Sequence, residues 1–145
     1  MLHRRIEDVL RGQELLCLPP TVTVQDAAEQ MAGRHVATVL ITEGNGKLDG
    51  IFTERDMVVR VVAAGLDTRV TTLAQVMTRD LVTIGRRNTV MQALHEMERQ
   101  GIRHLPVVEN GLVIGVVSMR DFVGEEVAVV EHEREIVTAF AEHMR

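Results

Sequence analysis

Gly50-Ile51-Phe52-Thr53-Glu54-Arg55-Asp56 and Gly115-Val116-Val117-Ser118-Met119-Arg120-Asp121 are two versions of one pattern: a glycine, two apolar residues, a hydroxyl, and an aspartate three positions after the hydroxyl. Upstream, Thr23, Val24, Ala27 and Met31 recur as Thr89, Val90, Ala93 and Met97, 66 positions later, while Gly50, Arg55 and Asp56 recur 65 positions later. The one-residue change falls at a turn, Gly44-Asn45-Gly46-Lys47 answered by Asn110-Gly111, where a fold tolerates insertion. A repeat of this length sets the architecture before any local reading.

Each copy predicts the same elements. Thr23 and Thr89 serve as N-caps of helices whose apolar stripes are Ala27, Ala28, Met31 and Val90, Ala93, Leu94, Met97. Apolar runs follow, Thr38 to Thr42 or Leu105 to Val108, then a Gly/Asn turn, then Leu48 to Thr53 or Leu112 to Ser118, which together read as hairpins. A second helix is predicted from Glu54 to about Ala64, with Met57, Val58, Val61 and Val62 apolar, and from Met119 to about Glu131, with Phe122, Val123, Val127 and Val130. Short runs ahead of each unit, Glu14 to Leu18 and Asp80 to Ile84, supply a further strand, the first closed by Pro19-Pro20. The result is an α+β fold of tandem β-α-β-β-α units. About sixty residues cannot bury both faces of a sheet, so two copies packed with pseudo-twofold symmetry are expected.

Composition narrows the classes. With 145 residues, 46% hydrophobic and 26% charged, the chain can bury a continuous core and is not disordered. No apolar run approaches the length of a membrane span, and Met-Leu-His-Arg-Arg-Ile-Glu-Asp fits neither a secretory signal nor a transit peptide, so a cytoplasmic location is the default expectation. Lone Cys17 excludes an internal disulfide and is expected to be a small core residue. A net charge of −5 with no Trp or Tyr argues against nucleic-acid binding. All basic residues but Lys47 are arginine, which suits phosphate or carboxylate, although a genomic bias explains the skew equally well.

The hydroxyl-x-x-Asp corner stands where a strand gives way to a helix. Backbone N–H groups there, with the Thr53 or Ser118 hydroxyl and the cation of Arg55 or Arg120, can hold a phosphate, and an ionised Asp56 or Asp121 can accept both hydroxyls of a ribose. The same residues also make a capping box that only stabilises a helix, by about 1 kcal/mol. Both readings stand at this level.

Two such corners in tandem, with Gly101-Ile102-Arg103-His104-Leu105-Pro106-Val107-Val108 in the second copy and Val76-Met77-Thr78-Arg79-Asp80-Leu81-Val82-Thr83 between the copies, resemble a cystathionine-β-synthase (CBS) domain pair, or Bateman module. The resemblance runs from roughly Leu15 to Val123, so a stand-alone pair without an attached enzyme, channel or transporter is expected. It describes one module over 1–145, with repeats at 14–66 and 73–131 and a C-terminal helix at 132–145. It implies binding rather than catalysis, of AMP first, then ATP, ADP, NAD or S-adenosylmethionine, in clefts shared by the repeats. By carry-over Asp56 and Asp121 would bind ribose, with Thr53, Ser118, Arg55 and Arg120 near phosphate. Asp121 would face Val36 and Ala37, Asp56 would face Ile102 and the neighbourhood of Val82, and Arg103 and His104 would lie against phosphate. The first copy, His35-Val36-Ala37-Thr38-Val39-Leu40, lacks the Arg-His-x-Pro run, which predicts unequal clefts.

The six histidines show no paired ligand spacing, so no metal is expected, and no nucleophile-base arrangement points to an enzyme. In the tail, Ile136, Val137, Phe140, Ala141 and Met144 share a helical face, and with Ile6, Val9 and Leu10 they are expected to contribute to a homodimer contact. The reading is an adenine-nucleotide sensor that changes shape or dimer geometry and acts on an unidentified protein; the alternative is a protein-protein interaction module with empty clefts.

Overall fold

A computed structural model describes residues 4–10, 14–122, 132, 134–139 and 141–142. In chain order the elements are α1 (Ile6–Val9), β1 (Cys17–Leu18), α2 (Val24–Arg34), β2 (Thr38–Thr42), β3 (Leu48–Thr53), α3 (Glu54–Asp56) running into a π-helical segment (Met57–Val62), α4 (Leu73–Val76), α5 (Val90–Gln100), β4 (His104–Glu109), β5 (Leu112–Ser118) and a 3-10 turn (Met119–Asp121). They fall into two compact units, one of residues 13–82 with 109–114, the other of 1–12, 83–108 and 115–145. Among the described residues no helix is long and apolar enough to cross a membrane.

The unit built on residues 13–82 holds a three-stranded sheet in the order β1-β2-β3. β1 runs parallel to β2, and β2 antiparallel to β3, with Thr38 opposite Thr53 and Val39 opposite Phe52. Alternation along the strands sends Leu16, Leu18, Val39, Ile41 and Phe52 into a core shared with Val24, Ala27 and Met31 of α2, Val61, and Leu73, Val76 and Met77 from the α4 region. Gly50 lets Met77 lie against the strand, since a Cβ there would stand 2.5 Å from Met77 Sδ. The same alternation corrects the expectation for Cys17, which is exposed because Leu16 and Leu18 on either side take the inward positions. Partial burial of its sulfur still pushes the thiol up from its ordinary range. At neutral pH the thiolate fraction therefore falls below that of a free cysteine. Alkylation of Cys17 by iodoacetamide, followed by mass spectrometry, is expected to be slower than that of free cysteine at pH 7 and to rise only at more alkaline pH; a rate profile turning at or below that of free cysteine would contradict this.

Between α2 and β2 the chain turns through a left-handed C-cap at His35, φ 55°. The second copy puts Gly101 at the matching position, φ 67°. A Cβ is disfavoured in that conformation, and glycine in turn loses more entropy on folding, so His35→Gly is expected to stabilise by a net of about 0.5–1 kcal/mol. A rise of about 2–4 °C in melting temperature per kilocalorie would register it. Gly101→His should lose a similar amount.

The second unit centres on α5, capped by Thr89 and Gln92 and buried through Val90, Ala93, Leu94 and Met97. β4 and β5 form a two-stranded sheet whose tip, residues 109–114, is grouped with the first unit; its turn residues Asn110 and Gly111 are both at positive φ, as a tight primed turn requires. The strand expected over Asp80 to Ile84 is reduced to a single parallel bridge between Ile84 and Val107. In the first copy Leu40 N donates to Leu16 O; its counterpart here is Pro106, which has no N–H to give, so the ladder cannot extend back toward Val82. Of the helix expected from Met119 to about Glu131, the described part is a 3-10 turn, Met119–Asp121, followed by Phe122, buried with extended backbone; the remainder, with Val123, Val127 and Val130, lies outside the described residues.

Residues 4–7 complete this unit. Val90 N donates to Arg4 O, Arg5 bridges Thr89, Ile6 N donates to Asn88 O and Glu7 N to Arg86 O. Ile6 is fully buried, so it is a core residue of its own unit and not available for the expected dimer contact. In the tail, residues 134–139 are helical, Arg134 Nε lies 3.1 Å from Glu98 Oε1, and Ile136 and Val137 are exposed. Phe140 and Met144 fall outside the described residues.

Candidate functional site

Both hydroxyl-x-x-Asp corners form where the sequence puts them, and each is a closed capping box. In the first, Thr53 N and Thr53 Oγ1 both donate to Asp56 Oδ2, at 2.9 and 3.1 Å, and Asp56 N returns a bond to Thr53 Oγ1 at 3.3 Å. Glu54 N donates to Ala37 O at 3.0 Å, tying the corner to the lead-in of β2. Arg60, not anticipated from the sequence, completes it: its Nε stands 3.7 Å from Asp56 Oδ1 while Nη1 donates to Val76 O at 3.1 Å. Four-residue spacing on a helix was the signal that could have found it.

In the second corner Ser118 N donates to Asp121 Oδ2 at 2.6 Å, and Met119 N donates to Arg103 O at 3.1 Å, tying this corner to the lead-in of β4. Asp121 is exposed, and among the described residues it has no paired cation. The sequence places Glu125 where the first copy has Arg60.

Within the first unit Thr53 and Asp56 are thus joined to Ala37, with Val36 half-buried against the core, Arg55 exposed and Val82 half-buried. Within the second, Ser118 and Asp121 are joined to Arg103, with Ile102 and His104 half-buried and Arg120 exposed. One expectation changes. The N–H groups of Glu54, Asp56 and Met119 already donate within the protein, and the Thr53 hydroxyl proton goes to Asp56, so these are not free for a phosphate. Phosphate contact would rest on the exposed guanidinium groups of Arg55, Arg103 and Arg120. The apolar stripe expected after Asp56 is also narrower: Val61 is buried and Met57 half-buried, but Val58 and Val62 are 59% and 66% exposed, because the wider π turn faces only part of it inward.

A pocket of about 520 Å³ in the second unit lies instead along the polar side of α5, lined by Thr83, Ile84, Gly85, Asn88, Gln92 and neighbours. Its amides are committed locally: Asn88 Oδ1 accepts from Gly85 N and Asn88 Nδ2 donates to Gln92 Oε1. At its edge Arg99 lies 2.6 Å from Glu96 and holds that carboxyl below its usual range.

Comparison with known proteins agrees with this geometry. The CBS domain model matches twice, at residues 6–63 and 73–128. A CBS domain-containing protein of Arabidopsis thaliana is 36% identical over 132 residues, 91% of this chain but 24% of the relative, so the chain spans about a quarter of the length of such relatives. A conserved protein of Pyrococcus horikoshii superposes with a TM-score of 0.78 at 25% identity, covering 92% of this chain and 95% of that one. A CBS domain protein of Pyrobaculum aerophilum, solved in complex with AMP, superposes with a TM-score of 0.75 at 28% identity, covering 88% and 96%. Two matched repeats, each ending in a Gly-apolar-apolar-hydroxyl-x-x-Asp corner, show that this chain belongs to the CBS domain family.

Proposed function

We propose that this chain is a regulatory binding module for an adenosine-containing ligand, AMP foremost, with ATP, ADP, NAD and S-adenosylmethionine as competitors, and that occupancy is passed to another protein through a change of shape or of homodimer geometry in the cytoplasm. The observation that carries it is the exposed Asp121 carboxylate, held in place by Ser118 N–H and with no cation paired to it among the described residues, next to exposed Arg120 and Arg103. An ionised carboxylate accepts two hydroxyls on adjacent carbons, which is what a ribose offers. The AMP complex of the Pyrobaculum aerophilum protein supports the choice of ligand class. In place of the expected crossing, in which Asp121 faces Val36 and Ala37 and Asp56 faces Ile102, each aspartate is assigned with the lead-in to which its own corner is bonded: Asp121, Ser118 and Arg120 with Ile102, Arg103 and His104, through Met119 N to Arg103 O, and Asp56, Thr53 and Arg55 with Val36, Ala37 and Val82, through Glu54 N to Ala37 O. A ligand shifts the module only by its differential affinity for two states, so the binding step and the response must both be measured.

Calorimetry of the full chain with AMP, ATP, NAD and S-adenosylmethionine tests this, alongside mass spectrometry of any nucleotide carried through purification. Saturable binding of at least one is expected; none would overturn the reading. A second reading, an interaction module whose aspartates only cap helices, is favoured by the first corner, where the Thr53 and Asp56 groups satisfy each other. It predicts no ligand and a response to a protein partner alone.

A further inference from the structure

The two corners repeat one motif but differ in what the carboxylate already holds. Asp56 Oδ2 accepts two bonds from Thr53, and Oδ1 faces the Arg60 guanidinium at 3.7 Å. Arg60 is not a drifting surface cation: Nη1 is tethered to Val76 O, at the C-terminal end of α4. The Asp56 side chain is only 18% exposed, so solvent screens the pair less than it would at an open surface. A carboxylate offers about four acceptor positions; Thr53 uses two and Arg60 stands over the oxygen that has the others. Asp121 is exposed, and among the described residues its carboxylate is held by Ser118 N–H alone.

We propose that Arg60 is a specificity-determining residue that competes with a ribose for Asp56, so that the Asp121 corner takes an adenosine ligand first and the Asp56 corner fills only at higher concentration. The inference rests on the adenosine-binding reading and adds to it an order of filling and the residue that sets it. To bind at Asp56, ribose hydroxyls must displace the Arg60 guanidinium from Oδ1; at Asp121 no cation among the described residues has to be displaced. For a ligand carrying phosphate the displaced guanidinium is a nearby cation, so the penalty is larger for adenosine than for AMP.

The test uses the full chain and calorimetry with adenosine and with AMP on wild type, Asp121→Ala, and Asp121→Ala combined with Arg60→Gln. Asp121→Ala is expected to leave a weaker site, which Arg60→Gln strengthens for adenosine by about three- to fivefold, with a smaller gain for AMP. An unchanged or lowered adenosine affinity in the double variant, with wild-type binding intact, overturns the role of Arg60 and leaves the adenosine reading standing. No binding by wild type overturns both. A ligand-free readout is the Arg60 Nε–Hε resonance, expected to shift in Asp56→Asn; the same resonance position in both proteins also overturns the proposal. Thermal melts of each variant separate a change in affinity from a loss of fold.

Discussion

Asp121→Ala weakens AMP binding by about 1.5–3 kcal/mol, or roughly ten- to a hundredfold, the range for hydrogen bonds to a charged acceptor, if Asp121 holds the ribose as proposed. The substitution also removes the capping bond that Ser118 N makes to Asp121 Oδ2, which costs about 1 kcal/mol of stability. The two effects separate in one further variant. Asp121→Asn keeps an oxygen to accept from Ser118 N but loses the charge, so it should retain most of the stability while binding AMP nearly as poorly as the alanine. Calorimetry and urea denaturation on the three proteins check both halves. Affinity equal to wild type in Asp121→Ala would move the ribose elsewhere.

Phe52→Ala is the largest expected loss of stability, about 3–5 kcal/mol. Its ring is fully buried and faces Val39 across the β2–β3 register, in a core with neither Trp nor Tyr to share the load. Against a total of about 5–15 kcal/mol for a typical domain, such a loss removes a large share of the stability. Phe52 directly precedes Thr53, so the cavity also loosens the strand that positions the first corner. Urea titration should show a lower midpoint, and Phe52→Leu, which refills much of the volume, should recover most of it. Equal midpoints for wild type and Phe52→Ala would mean that the ring is not packed as described.

The repeat was readable because it is written in spacings: Thr23 and Thr89 cap the helices they were expected to cap, and both aspartates close their boxes. These are local features, decided within three or four residues. What escaped was decided by distant partners. The pairing of residues 4–7 with 86–90 has no periodic signature, so the burial of Ile6 was invisible. Pro106 announced the loss of a ladder bond, but only once the partner of Leu40 was known to be Leu16. Cys17 was legible and misread: apolar neighbours on both sides of a short strand place the middle residue on the opposite face. Arg60 stood four residues from Asp56 in the sequence, yet the Val76 carbonyl that holds it in place belongs to another element.

The pairing of Ile6 with Asn88 is also expected to set a late step of folding. Residues 13–82 can assemble their sheet from neighbours in sequence, whereas the unit around α5 must recapture a segment 82 positions upstream. Closing a loop of that length costs about 4 kcal/mol of chain entropy, which no contact repays until Ile6 enters the core. On a ribosome this segment emerges early and waits, its isoleucine exposed, until residues 86–90 have left the exit tunnel. Docking of that segment should therefore be a late kinetic phase, resolved from assembly of the first sheet in refolding experiments, and Ile6→Ala should change it most.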